Sequence, residues 1–366
     1  MKKYAFNNMS LMQFIFFNTG IQISVVFLSL PRNLAEQAGT DGWIALIIGW
    51  ILSLAASLIM IQVMKRYPDG TLLDLLTRYA GKWAGKTAAV LLALYFIYFG
   101  YEGIVRAVNI IKIWLLPQTP AYLIMILLLI PSYLIARNGP TILGRYSEII
   151  LLMSFWIPIV YLIPLKDAHW LHLLPVFKEG WKPVLAAMPA TVYSFVGFVV
   201  TMMLYPFLDN KHNASLGVTI CNTLTLLTHL FITIICFVYF SPDEIITYNE
   251  PVITYLKAIE FEFIERIEIL FISFYLLLFS LSWIPVFSLA AICTSWLAGQ
   301  KDHRSHLRVL WALLAAATFF YLPSYRQSEW MDDILAAVGL VVEYIFPFVL
   351  FGYLWIYDRL QRRTNL

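Results

Sequence analysis

The sequence predicts an all-α integral membrane protein of ten transmembrane helices, arranged as two inverted five-helix repeats. Three observations carry this. Hydrophobic residues make up 61% of the 366 residues and charged residues only 13%, about half the charge of a soluble domain. Ten apolar stretches approach the roughly 20 residues needed to cross the hydrocarbon core. The first and sixth of these are interrupted near their middles by glycine and polar residues. That is the pattern of helices that break and line a cavity, since exposed backbone cannot be left in lipid.

The spans are 10–30, 41–64, 84–112, 119–137, 146–165, 183–207, 213–240, 267–297, 307–323 and 332–357. In the first, Asn18-Thr19-Gly20-Ile21-Gln22-Ile23-Ser24 stands where a simple anchor would carry Leu, Ile or Val. In the sixth, Ser194-Phe195-Val196-Gly197 is the matching interruption. Polar residues at helix–helix contacts also act as glue, so each stretch taken singly has a second, purely structural reading. Together they favour a cavity between paired broken helices, one per half. One transmembrane domain then fills residues 1–366, with a first repeat at about 10–165 and a second at about 183–357. Segment 71–80 alternates polar and apolar residues and reads as an amphipathic helix lying on the membrane. The first apolar run leads into Leu30-Pro31-Arg32 without a small-residue cleavage site and is read as a retained helix.

An even span count puts both termini on one side. That side carries 16 of the 25 Lys and Arg residues, among them Lys2, Lys3 and Lys301; the other carries 8, and Arg106 lies within a span. The bias places both termini in the cytoplasm. Two external segments are long, 166–182 and 241–266. The second reads as one or two short interfacial helices begun by Pro242 and Pro251. A segment of this length is either a lid or docking surface, or a solvated connector.

Charges at membrane depth are costly and normally face the protein interior with partners. Glu102 and Arg106 lie four apart on one face of span three, after Tyr95, Tyr98 and Tyr101. They are read either as a gate at the ligand cavity or as a structural ion pair near the outer interface. Glu343 in span ten is either a proton-coupling carboxylate or a group satisfied by a partner far away in sequence. Glu148 beside Arg145 is interfacial, and His229 reads as a hydrogen-bonded helix contact. Ser273, Tyr275, Ser280 and Ser282 in span eight are expected mostly in helix packing.

Soluble catalytic signatures are missing from the sequence: no Walker A loop, HExxH, GxSxG or GxGxxG at a strand-to-helix turn. No enzyme activity, cofactor or metal is called for. Cys221, Cys236 and Cys293 lie in apolar runs and read as packing residues. The basic residues serve topology and anionic lipid, not nucleic acid.

The motifs Leu28-Ser29-Leu30-Pro31-Arg32-Asn33-Leu34-Ala35, Asp41-Gly42-Trp43-Ile44, Gly81-Lys82-Trp83-Ala84-Gly85, Leu173-Leu174-Pro175-Val176-Phe177 with Glu179-Gly180, and Phe263-Ile264-Glu265-Arg266 occur in that order. Together they resemble the B subunit of spore germinant receptors, the spore-permease branch of the amino acid–polyamine–organocation superfamily. The resemblance implies a LeuT-like fold with its ligand site between spans one, three, six and eight. It implies residence in the inner membrane of a bacterial spore, beside a receptor A subunit and a lipoprotein C subunit. The nutrient would be an amino acid, sugar or nucleoside. Carried onto this sequence, the ligand-binding candidates are Gly20, Gln22 and Ser24 of the Asn18–Ser24 stretch in span one, with Asn18 and Thr19 beside them, and Ser194, Phe195 and Gly197 in span six. Tyr98 and Glu102 follow from span three, and Glu102, Arg106 and Glu343 are the gating or proton-coupling candidates. One departure stands out. Where the family often has a Gly-x-Gly pair before Leu-x-Leu-Pro-Arg, this chain has Ser24-Val25-Val26. The expected unwound turn moves toward residues 18–22.

Three functions follow as expectations: a nutrient sensor whose conformation is read by partner subunits, an amino acid uptake permease with alternating access, and a degenerate membrane scaffold.

Overall fold

In the computed structural model, residues 8–178, 180–259, 266–300 and 302–364 are described. Glu179 and Phe263-Ile264-Glu265 of the motifs above, and Lys2, Lys3 and Lys301 of the charge count, lie outside them. The described chain is helical apart from turns and one isolated bridge between Met9 and Leu208.

Helix α1 (Leu11–Val26) begins at a Ser10 cap closed reciprocally by Gln13. It runs unbroken through the polar stretch. The expected break at residues 18–24 is therefore corrected: the interruption comes at 27–29, before α2 (Leu30–Ala38). Two causes act together. Pro31 has no N–H to give the Phe27 carbonyl, and its ring crowds that carbonyl. Inside α1 the polar side chains bond back to the helix instead of opening it. Asn18 donates to the Phe14 carbonyl at 2.8 Å, and Ser24 donates to the Gly20 carbonyl.

Helices α3 (Gly42–Met64), α4 (Leu72–Ala80) and α5 (Lys82–Ile110) follow; α4 is the expected amphipathic piece and lays Leu72, Leu73, Leu75 and Leu76 against α5. Then come α6 (Ala121–Ala136), α7 (Pro140–Met153) and α8 (Trp156–Tyr161). The second half opens with α9 (Trp181–Ala186), α10 (Met188–Ser194) and α11 (Val200–Leu204). The sixth span breaks at residues 195–199, where the sequence places it. Gly197 there has φ +116°, a conformation L side chains rarely adopt, and a Cβ would sit 2.4 Å from Ile21 Cγ2. The chain continues through α12 (Ala214–Tyr239), then α13 (Pro242–Ile245) and α14 (Pro251–Leu256), two short helices each with proline in its first turn. It ends with α15 (Ile267–Leu297), α16 (Arg304–Phe320), α17 (Tyr325–Gly339) and α18 (Phe346–Thr364). A π-helical turn, Leu340–Ile345, joins the last two.

Six helical runs among the described residues are long and apolar enough to cross a membrane: Leu30–Met64, Lys82–Leu115, Pro140–Asp167, Lys211–Tyr239, Ile267–Leu297 and Tyr325–Gln361. The other four expected spans fall short for local reasons. Helices α1, α6 and α16 have 16, 16 and 17 residues, and the sixth span is divided among α9, α10 and α11.

Helix α15 is the central post, buried along most of its length and packed on α1, α5, α6, α7 and α16. Glycines let the backbones approach, as small residues do between membrane helices. A Cβ on Gly20 would meet Leu281 at 2.6 Å, and one on Gly103 would meet the Ser282 hydroxyl at 2.6 Å. Gly20 is thus a packing contact within a continuous helix.

Candidate functional site

A cavity of about 810 Å³ opens between α2, α10 and α17. Its rim is held by Arg32, which donates to Glu36 at 2.7 Å, Glu329 at 3.2 Å and Asn249 at 3.0 Å.

The floor is a buried polar plug. Arg106 of α5 donates to Asp332 of α17 at 3.1 Å, to the Tyr325 hydroxyl at 3.3 Å and to Ser29 at 3.5 Å. Its guanidinium also lies over the Tyr325 ring, 4.8 Å from the centroid. Tyr193 of α10 donates to the other Asp332 oxygen at 2.8 Å. The plug extends outward to the segment after α12: Glu250 accepts from Tyr325 at 3.2 Å and from Trp114 at 3.0 Å. Burial pushes the Glu250 carboxyl up from its ordinary range, opposed by nearby Arg106 and by these two hydrogen bonds.

The expected Glu102–Arg106 pairing is corrected here. The two share a helix face, but Arg106 reaches across to α17, where Asp332 offers a carboxylate already oriented by Tyr193. Glu102 is buried, and its carboxyl lies against that of Asp332, with Arg106 also close enough to act on it.

Deeper in, the helix-six break is clasped from span ten. The π-helical turn presents Glu343, fully buried, to the loosened backbone between α10 and α11. Gly197 N–H lies 2.9 Å from both carboxylate oxygens, Val199 N–H donates at 3.3 Å, and the Tyr95 hydroxyl donates at 2.5 Å. Amides freed by breaking a helix need acceptors in an apolar interior, and one carboxylate supplies them.

The remaining sequence candidates lie in packed core below the cavity. Asn18 accepts from Thr201 of α11 at 2.8 Å, tying α1 to the second half of the sixth span. Gln22 accepts from Thr225 of α12 at 2.6 Å. Ser24 donates to the Leu278 carbonyl at 2.9 Å and its own carbonyl accepts from Tyr275 at 3.0 Å. Ser194 bonds back to the Ala190 carbonyl at 2.7 Å, and Phe195 is buried edge-on against His229. Tyr98 donates to the Met331 carbonyl at 3.2 Å, and Thr19 is buried on α1 near Cys221. Among all these candidates, Arg106 alone lines the cavity. His229 is a helix contact as expected, but neither ring nitrogen has a hydrogen-bond partner. Glu148 accepts from Gln13 at 3.2 Å.

Sequence reasoning missed Asp332, Tyr193, Tyr325 and Glu250. A signal existed for Asp332: a lone Arg at membrane depth demands an acid, and Asp332 stands at the edge of span ten.

The sequence profile of the spore germination protein family, the spore permeases, matches residues 8–329. The chain belongs to the spore permease family. This spore permease is 21% identical to the spore germination protein GerQB of Bacillus cereus over 246 residues, 67% of this chain and 68% of that protein. It is 27% identical to spore germination protein B2 of Bacillus subtilis over 274 residues, 71% and 72% of the two chains. Its fold matches that of MhsT, solved in complex with L-phenylalanine, with a TM-score of 0.63 at 12% identity over 93% of this chain and 87% of that one. It also matches Mhp1, a nucleobase-cation-symport-1 family transporter, with a TM-score of 0.61 at 13% identity over 94% and 77%. The spore permease therefore has the LeuT-like transporter fold that the motifs implied.

Proposed function

We propose that this chain is the transporter-like B subunit of a spore germinant receptor, and that it binds a small nutrient between the broken first and sixth spans to trigger germination. The single observation that carries the reading is the pair of polar closures between spans three, six and ten. A vestibule of about 810 Å³ ends on the Arg106–Asp332–Tyr193 plug, and beneath it lies the helix-six break held by Glu343. A ligand shifts such a molecule only through its differential affinity for two states. Here those states differ by opening the plug, which frees the core polar groups of α1 and the 195–199 break to face the nutrient.

In this reading the ten spans form two five-helix inverted repeats, with both termini cytoplasmic and the vestibule facing outward in the spore inner membrane. Receptor A and lipoprotein C subunits read the change. Arg106 and Asp332 are the outer gate, and Glu343 couples the break to span ten.

The test is thermal stabilisation of the purified chain, alone and co-expressed with its partner subunits, by amino acids, sugars and nucleosides. Ligand at a hundred times its dissociation constant adds about 2.7 kcal/mol. The expected result is a shift with one compound class, abolished by Ala336→Trp, which puts an indole into the vestibule. No shift in either preparation overturns the reading. The uptake permease remains a second reading because the fold is that of transporters. Solute flux into vesicles above background would favour it, and a sensor gives none.

A further inference from the structure

Asn222, Thr225, His229 and Thr233 recur at helical spacing along one buried face of α12. That face packs on α1 and α3. The seam is only partly bonded. Thr225 donates to Gln22 of α1 at 2.6 Å, and Asn222 donates to Ser57 of α3 at 3.1 Å. Left over are the Gln22 amide nitrogen, the Asn222 amide oxygen, both His229 ring nitrogens, the Thr233 hydroxyl and the Trp50 indole N–H, each buried and without a partner. Trp50 lies seven residues before Ser57 on α3, and His229 seven after Asn222 on α12. Across an antiparallel pair, this sets the two at one level.

Buried polar groups in folded proteins are almost always hydrogen-bonded. Here most of the orphans among the described residues lie on one seam. Their chemistry identifies what would satisfy them. Gln22 Nε2 and Trp50 Nε1 only donate, Asn222 Oδ1 only accepts, and neutral His229 does one of each. A cation needs acceptors throughout and an anion needs donors throughout. Water does both, and a buried water takes roughly three polar partners.

We propose that the α1–α3–α12 seam holds a file of ordered waters, running from Gln22 and Asn222 past His229 to Thr233. The file covers about 16 Å of α12. At His229 it meets the Phe195 ring, which belongs to the helix-six break.

X-ray hydroxyl-radical footprinting of the purified, full-length protein tests this, because radicals formed from a bound water oxidise side chains touching it. His229 and Phe195 are expected to be modified several-fold faster than Phe14 and Phe17, which are equally buried. Modification at the same slow rate overturns the proposal. Melting temperatures give an independent readout. A dry orphan replaced by an apolar isostere raises stability, whereas a hydrated one loses its water bonds. His229→Phe and Thr233→Val are each expected to lower Tm by about 2 °C or more. The His229–Thr233 pair is expected to be non-additive through shared water. Independent, additive rises in Tm overturn the file.

Discussion

Glu343 and His229 are both fully buried, both titratable, and both next to the helix-six break, yet they are treated in opposite ways. Glu343 receives donors from Gly197, Val199 and Tyr95, so that every strong donor loosened by the break has somewhere to go. His229, one ring away behind Phe195, receives nothing from the protein. The contrast teaches that burial and polarity alone do not distinguish a lock from a wet seam. What distinguishes them is the count of donors against acceptors. The clasp fixes a geometry, because a carboxylate bound to a backbone amide at both oxygens has little freedom. The seam leaves helices α1 and α12 with bonds that water can remake after a small shift.

The comparison breaks most severely at Glu343. Glu343→Leu orphans the Gly197 and Val199 amides and the Tyr95 hydroxyl, at about 1–3 kcal/mol for each group. Thermal unfolding is expected to show a loss on the order of 3 kcal/mol or more, with germination abolished, while Glu343→Gln retains part of both. Next is the plug. Asp332→Ala removes the carboxylate to which buried Arg106 is bonded, a loss of about 3–5 kcal/mol, whereas the double change to Arg106→Met with Asp332→Leu approaches neutrality in stability. Equal melting of the single and double variants would remove the ion pair from the account. Gly197→Ala sharpens the same site by geometry alone. Its φ of +116° and the Ile21 contact at 2.4 Å predict a loss of about 1–3 kcal/mol. A wild-type melting curve would mean the backbone relaxes there.

The smallest effect concerns Glu250. Burial raises its native pKa, so the folded state holds the proton more tightly than the unfolded chain. Its contribution to stability is then fully present below the ordinary Glu value of about 4.3 and is lost as pH rises through the native value. Glu250→Gln is expected to flatten the Tm-versus-pH profile across that window, and an unchanged slope would count against it.

Much of the architecture was legible because membrane helices advertise themselves: apolar length and the glycine-marked break of the sixth span are local properties of the chain. The sixth-span break, the amphipathic α4 and the two proline-started helices α13 and α14 are found where the sequence puts them. The first-span break was misread because polarity was taken as the breaker. Asn18 and Ser24 bond to their own helix, and the actual interruption belongs to Pro31. Of the plug, only Arg106 was legible in the sequence; Asp332, Tyr193, Tyr325 and Glu250 were not, because each meets it from a distant helix or segment. Arg106 was recognised as needing a partner, but the nearest acid in sequence was not the one it meets.

By itself, then, the sequence determined which segments are apolar enough to cross a membrane, where the sixth span parts, and which polar groups sit within those segments. Those follow from the local cost of placing backbone and side chains in an apolar solvent. Only the tertiary structure decided that Asp332 takes Arg106, that Glu343 takes the broken helix, and that His229 takes neither. Each of those bonds joins residues more than a hundred positions apart, and no local rule of spacing or propensity can set which distant helix face arrives.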